Sequence, residues 1–397
     1  MNITLSDKMH HFQTSIFNEL SNYKKKKNQE GNEMIDLSVG SPDLPPAKYV
    51  IDELAKHVTQ PCNYGYTLTG IDELHRTIAT YYHNQYSVTV DPVNETLMVM
   101  GSQDGLVHLP MALTNPGDII LLPDPGYTAY DTGVALAGAA VYGMPLKEDN
   151  NFLPDLEAIP GEIREKAKLM ILNFPGNPVP ALATKKFFEQ VVAFAKKHQI
   201  VVVHDFAYSE IYYEDKPVSF LSIKGAKEVG VEFNSFSKSF NLAGCRIGYI
   251  VGNPTVVAGL NRLKSNLDYG VFFPIQKAAI RALENSVSFS EELRAIYKRR
   301  RDILVSGLNA LGWKVDTPSA SMFIWAKVPK PFTSTEFVYR LMDETGIVVV
   351  PGNAFGEAGE GYVRIGLVQP EEVLKKAVAK LRSSILFSTT EVPITNK

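Results

Sequence analysis

The sequence predicts an α/β fold, a mainly parallel sheet with helices on both faces, joined to a smaller α+β domain. Three observations predict it. From about Ile51 to Ala282 helical patterns alternate with short apolar runs, the order of βαβ units. Several runs are β-branched almost throughout, as at Val201-Val202-Val203, which suits strands buried on both faces. Polar residues follow directly on these runs, where open parallel sheets place their ligand groups.

In order, the expected strands are Leu97–Met100, Asp118–Leu122, Leu169–Asn173, Ile200–His204, Val231–Ser235 and Arg246–Val251. Beyond Ser286 a charged helix carrying Lys298-Arg299-Arg300-Arg301 leads to strand-like Ser321–Ala326, Gly346–Pro351 and Tyr362–Leu367. A last helix follows from about Pro370 to Leu386. Residues 47–285 are therefore expected to form the large domain, and residues 1–46 with 286–397 the small one. With 397 residues, 45% of them apolar, the chain can fill both cores.

A net charge of −3 from 40 basic and 43 acidic residues provides no general field for nucleic acid or a membrane surface. The run Lys24 to Lys27 reads as the solvated end of an N-terminal helix, and Ser388 to Lys397 as a loose tail. Two distant cysteines, Cys62 and Cys245, make no disulfide framework and suit a reducing compartment. Met1 to Ser15 lacks the apolar core of a signal peptide, and Val134 to Met144 is too short and Gly-interrupted to cross a bilayer. A cytoplasmic protein without a metal site is expected.

Chemistry concentrates around Lys238, in Asn234-Ser235-Phe236-Ser237-Lys238-Ser239-Phe240, with Arg246 following in Gly244-Cys245-Arg246-Ile247-Gly248-Tyr249. An amine flanked by hydroxyls, with a fixed arginine nearby, suits an aldehyde that carries a phosphate. Lys238 condenses with the aldehyde while Ser235, Ser237 and Arg246 hold the phosphate. The cofactor expected there is pyridoxal phosphate. Upstream, the strand ending in His204-Asp205-Phe206-Ala207-Tyr208 delivers an acid that can pair with a protonated pyridine nitrogen and keep the ring an electron sink. Tyr208 then faces the ring's phenolic oxygen. Leu169 to Asn173 breaks into Phe174-Pro175-Gly176-Asn177-Pro178, where Asn177 can donate to the same oxygen. Taken singly, Asp205 also reads as a helix cap and Asn177 as a turn former.

Asn177-Pro178, then a strand ending Asp205-x-x-Tyr208, then Ser235-x-Ser237-Lys238, then Arg246-Ile247-Gly248 resemble, in that order, the class I/II aminotransferases, pyridoxal phosphate enzymes of fold type I. The likeness extends from Ile35-Asp36-Leu37-Ser38-Val39-Gly40-Ser41-Pro42-Asp43 to Tyr362-Val363-Arg364-Ile365-Gly366-Leu367. It implies transamination, with Lys238 as the lysine that bonds the cofactor, Asp205 on the pyridine nitrogen, and Tyr208 with Asn177 on the ring oxygen. It also implies Ser102 and Gln103 as backbone phosphate donors at a helix N-terminus, Tyr127 as the aromatic stacked on the ring, and Arg364 as the clamp for the substrate α-carboxylate. Gly40 would bring backbone close to that end of the substrate.

Two departures stand out: Val179-Pro180 replaces the family's usual Thr-Gly, so the helix that follows is expected to begin differently, and either Tyr64 or Tyr66 answers to the tyrosine that reaches a neighbouring subunit's phosphate, with Tyr66 favoured. A homodimer with shared sites is thereby implied, and a helical stripe of Phe12, Ile16, Phe17 and Leu20 is expected either to pack on the partner or to join the chain's own core. Lys264 to Phe272, followed by Ile275-Gln276, resembles the corresponding segment of LL-diaminopimelate aminotransferases and their close relatives. This suggests a polar or dicarboxylic amino acid substrate and a role for the segment in choosing it. Two other functions fit the same residues in part. A carbon–sulfur β-lyase shares the cofactor motifs but needs no keto acid, and a ligand-sensing module shares the fold but needs neither Lys238 nor turnover.

Overall fold

The computed structural model describes residues 1, 3–6, 8–9, 12 and 16–387; the tail from Ser388 lies outside the described residues. Twelve strands are present among them: β1 (Ile35–Asp36), β2 (Thr96–Val99), β3 (Ile119–Asp124), β4 (Ala140–Pro145), β5 (Ala167–Leu172), β6 (Val201–Asp205), β7 (Gly230–Ser235), β8 (Gly248–Gly252), β9 (Phe323–Lys327), β10 (Ile347–Val348), β11 (Val350–Pro351) and β12 (Tyr362–Gly366).

A seven-stranded sheet in the order β2-β8-β7-β6-β5-β3-β4 forms the large layer. It is parallel except for β8, which runs antiparallel between β2 and β7. Alternating side chains serve two cores, as a strand's period of two requires. Met98, Met170, Leu172 and Val202 face the helices Asp72–Tyr86, Lys185–His198 and Phe273–Glu284. Leu97, Val99, Leu169, Ile171 and Val203 face Ser102–Leu113, Ala129–Ala137 and Pro254–Lys264. The apolar stretch from Val134 resolves into the end of one helix, a left-handed Gly138, and the edge strand β4. After Val179-Pro180 the next helix begins at Lys185, capped by the Thr184 side chain, which accepts from the Phe187 N–H.

A second core gathers the helices Ile16–Gln29, Ser286–Ala310, Ser334–Thr345 and Glu371–Arg382 around β1 with β10 and around β11-β12-β9. It also takes in Ala207, Tyr208, Ile211 and Tyr213, so the segment just after β6 is packed from both sides. Of the stripe on the first helix, Leu20 is buried in this core and Ile16 packs against it, whereas Phe17 packs on the smaller cluster of Trp325 and Phe355. No helix among the described residues is long and apolar enough to cross a membrane.

Candidate active site

At the carboxyl ends of β5, β6 and β7 a cavity of about 790 Å³ opens between the sheet and the second core. Gly40, Ser102, Gln103, Tyr127, Asn177, Asp205, Tyr208, Ser235, Ser237, Lys238, Arg246 and Arg364 all line it. Topology explains the convergence, because parallel neighbours end on the same edge and their following loops share one crevice.

Lys238 sits in the short helix Phe236–Ser239, which directly follows β7 and is capped by Ser235, whose hydroxyl oxygen accepts from the Ser237 N–H. Its Nζ donates to the Gly40 carbonyl at 2.6 Å. Burial lowers the amine to about 8, helped by the Arg364 and Arg246 charges and opposed by Asp205. Gly40 contributes that carbonyl; a Cβ there would meet Phe323 at an ordinary 3.5 Å, so close approach is not what the position supplies.

Asp205 ends β6 and is only 4% exposed. Its carboxylate accepts from the Tyr130 hydroxyl at 2.8 Å and the Ala207 N–H at 3.2 Å. Burial raises its pKa, while those donors and the His204 and Lys238 charges work the other way. The acid thus lies at the floor of the cavity without an ion-pair partner among the described residues. Tyr208 and Tyr127 are also pushed up by burial.

Opposite the floor, Gly101 stands before the helix Ser102–Leu113 with φ +85°, and no side chain caps that helix. A Cβ on Gly101 would lie 2.7 Å from Arg246 Nη2, and one on Gly248 would lie 2.7 Å from the Ser102 nitrogen. Bare backbone at both positions leaves a cradle of N–H groups, hydroxyls and guanidinium at a helix N-terminus, the setting that binds phosphate.

Arg364, in β12, is buried. Nη1 donates to Asn177 Oδ1 and Nη2 to the Ser38 carbonyl, each at 2.6 Å. Its guanidinium lies 4.3 Å from the centre of the Phe323 ring, and Nε has no hydrogen-bond partner. Burial draws it down to about 10, still charged at neutral pH. No carboxylate of the described residues pairs with it.

Tyr64 and Tyr66 do not reach this cavity in their own chain. The Tyr64 hydroxyl donates to the Val58 carbonyl at 2.9 Å, whereas Tyr66 is 83% exposed with its ring 4.9 Å from Tyr269. No residue from Lys264 to Phe272 lines the cavity of its own chain either; Lys264 is buried against Asp268, and Tyr269 lies beside Tyr66. Sequence reasoning missed Asn173, whose side chain donates to the Asp205 carbonyl and accepts from the Asn177 N–H. It also missed Tyr130, Phe17, Lys24, Asp36 and Ser38. Asn173 was within reach, since it is a polar residue directly after an apolar strand, as Asp205 is at the end of its own.

The residues fit pyridoxal phosphate: a desolvated amine, a buried carboxylate awaiting a cation, and an anion cradle that side chains at Gly101 or Gly248 would fill. Residues 32–381 match the family profile described as aminotransferase class I and II. Among similar proteins, the LL-diaminopimelate aminotransferase of Halothermothrix orenii is 43% identical over 381 residues, covering 96% of this chain and 98% of that one. The apo-BacF structure from Bacillus subtilis superposes with a TM-score of 0.94 at 38% identity, covering 98% of this chain and all of the other. A double mutant of Thermus thermophilus aspartate aminotransferase gives 0.90 at 28% identity, covering 96% and 99%. A profile match over most of the chain, relatives of matching length and a common architecture agree with the cavity's chemistry: this chain belongs to the class I and II aminotransferases, pyridoxal phosphate-dependent enzymes of fold type I.

Proposed function

We propose that the amino donor is LL-diaminopimelate, with a 2-keto acid as acceptor. The observation that carries the reading is Arg364, a buried guanidinium whose hydrogen bonds go only to neutral oxygens of Asn177 and Ser38, so that a substrate carboxylate is the anion it lacks. The full-length similarity to a protein named for LL-diaminopimelate supports the choice of donor.

When bound, pyridoxal phosphate supplies the aldehyde that takes up the amino group and the ring that spreads the electrons released with the α-hydrogen. Lys238 holds the cofactor, then carries the proton, a task suited to an amine near neutral pH. Asp205 would keep the ring nitrogen protonated, and Tyr208 with the Asn177 amide would donate to the ring oxygen. Ser102, Gln103, Ser235, Ser237 and Arg246 would hold the phosphate, and Tyr127 would cover the ring. Residues 47–285 carry this cofactor site, and the described residues of the small domain, taken as 1–46 with 286–397, close the substrate end.

The protein works as a cytoplasmic homodimer in which Tyr66 serves the neighbouring site. Tyr64, Tyr66, Leu68 and Tyr269 form an exposed apolar surface, which supports an interface there. The donor reading is tested by steady-state rates for LL-diaminopimelate, glutamate, aspartate and alanine with 2-oxoglutarate. LL-diaminopimelate should give the highest kcat/KM. Release of ammonia without a keto acid would instead mark a lyase.

A further inference from the structure

We propose that Lys24 and Asp36 form the subsite that reads the far end of the donor, and that the end they take carries an ammonium and a carboxylate together. The inference rests on the diaminopimelate reading and specifies how this chain recognises such a substrate.

Lys24 belongs to the helix Ile16–Gln29, which presents Phe17, Leu20, Ser21 and Lys24 to the cavity. Those positions are i, i+3, i+4 and i+7, a single helical face, so the helix stands as a wall along the site. In the lysine run expected to be solvated, Lys25 and Lys26 are exposed, but Lys24 turns inward, with Nζ 2.5 Å from Asp36 Oδ2. The two side chains are 28% and 16% exposed, shielded yet reachable from the cavity.

A hydrogen-bonded line runs from this pair to the α-carboxylate clamp. Asp36 Oδ1 accepts from the Ser38 hydroxyl at 2.6 Å and from its N–H at 2.9 Å, and the Ser38 carbonyl accepts from Arg364 Nη2. The cavity's remaining lysine and arginines are Lys238, Arg246 and Arg364, and its other carboxylate is Asp205 at the floor. Each of these already has a task in the reaction. Among the described residues of the chain that builds the cavity, a second charge of either sign on the substrate therefore meets Lys24 or Asp36.

The energetics favour a paired ligand end. Opening the pair leaves neither charge alone, because a ligand carboxylate on Lys24 with a ligand ammonium on Asp36 replaces one ion pair by two. A lone carboxylate meets the Asp36 charge, and a lone ammonium meets that of Lys24. Either mismatch lowers affinity.

The test compares kcat/KM for LL-diaminopimelate, 2-aminopimelate, lysine and 2-aminoheptanoate, which differ in having both distal groups, the carboxylate alone, the ammonium alone or neither. Wild type should prefer the first. In Lys24→Ala the ratio of LL-diaminopimelate to 2-aminoheptanoate should fall about tenfold or more, with the visible cofactor band intact as the check on folding. Lys24→Glu should shift preference towards lysine. Calorimetry on Lys238→Ala, which cannot turn over, should show weaker LL-diaminopimelate binding when Lys24→Ala is added. A wild type indifferent to distal charge overturns both readings. One that prefers LL-diaminopimelate, with ratio and affinity unchanged in the Lys24 variants, overturns the subsite alone.

Discussion

His204 Nδ1 lies 2.7 Å from Glu232 Oε1, with both side chains sealed from solvent. The other ring nitrogen meets the Phe174 carbonyl at 3.0 Å; a carbonyl only accepts, so that nitrogen carries a hydrogen and one further proton lies between ring and carboxylate. The Ser219 hydroxyl and the Phe220 N–H also donate to Glu232. Phe174 opens the loop that carries Asn177, so the pair anchors the site from beneath. His204→Phe should strand the Glu232 charge and cost about 3–5 kcal/mol of stability. Adding Glu232→Leu should restore most of it, as read from urea midpoints. A single variant unfolding with wild type would show that the pair bears no load.

Lys238→Ala should abolish turnover and remove the yellow band of the lysine-bound cofactor while leaving noncovalent binding detectable. A variant with near-normal rate would refute its role.

The same amine gives a pH signature. Because its folded value is lowered to about 8, it is protonated and unreactive below that pH and free above it. In apo protein, the rate at which pyridoxal phosphate is captured should therefore rise with a midpoint near 8. A midpoint at an ordinary lysine value would mean that Lys238 is solvated.

Asp205→Asn should keep cofactor but slow turnover by about a hundredfold or more, since a neutral amide cannot hold the ring nitrogen protonated. Arg246→Ala should chiefly speed cofactor loss on dialysis. Exchanged phenotypes would reverse the two assignments.

Arg364→Lys should lose about 2–4 kcal/mol in kcat/KM for every donor, because an ammonium lacks the planar fork that gives a carboxylate two parallel hydrogen bonds. Donor ranking should survive. A changed ranking would move Arg364 to the side-chain end of the substrate.

If sites are shared, Tyr66→Ala and Lys238→Ala proteins, each impaired alone, should regain activity when mixed and allowed to exchange subunits. Sedimentation should show a dimer. Full activity in a monomer would dismiss the arrangement.

The cofactor end of the site was legible because its groups sit at strand ends within short motifs: Asn177, Asp205, Lys238 and Arg246 declare themselves within a few residues. The substrate end was not. Lys24 looks like its neighbours until the pairing of β1 with β10 sets its helix over the cavity. Tyr130 meets Asp205 across 75 positions of chain. Arg300 and Arg301 stand in the run that marks a charged helix, and nothing in that run tells that Arg300 is buried on Asp43 and Arg301 on the Pro318 carbonyl. Strand direction also left no mark, since the apolar run of β8 would look the same either way, and the exposed edge strand β4 passed as part of a longer apolar stretch.

The pairing of Ile35 with Ile347 sets an order of assembly. All seven strands of the large sheet have been synthesised by Gly252, whereas β1 waits for a partner more than three hundred residues further along. Closing so long a loop adds little free energy, about 0.6 kcal/mol for each doubling, so the delay is one of timing on the ribosome. A nascent chain can thus build the surface that grips phosphate and ring while its first helix still lacks a strand to lean on. Chemistry is in place before selectivity, and the last part of the chain to emerge decides what the first part may admit.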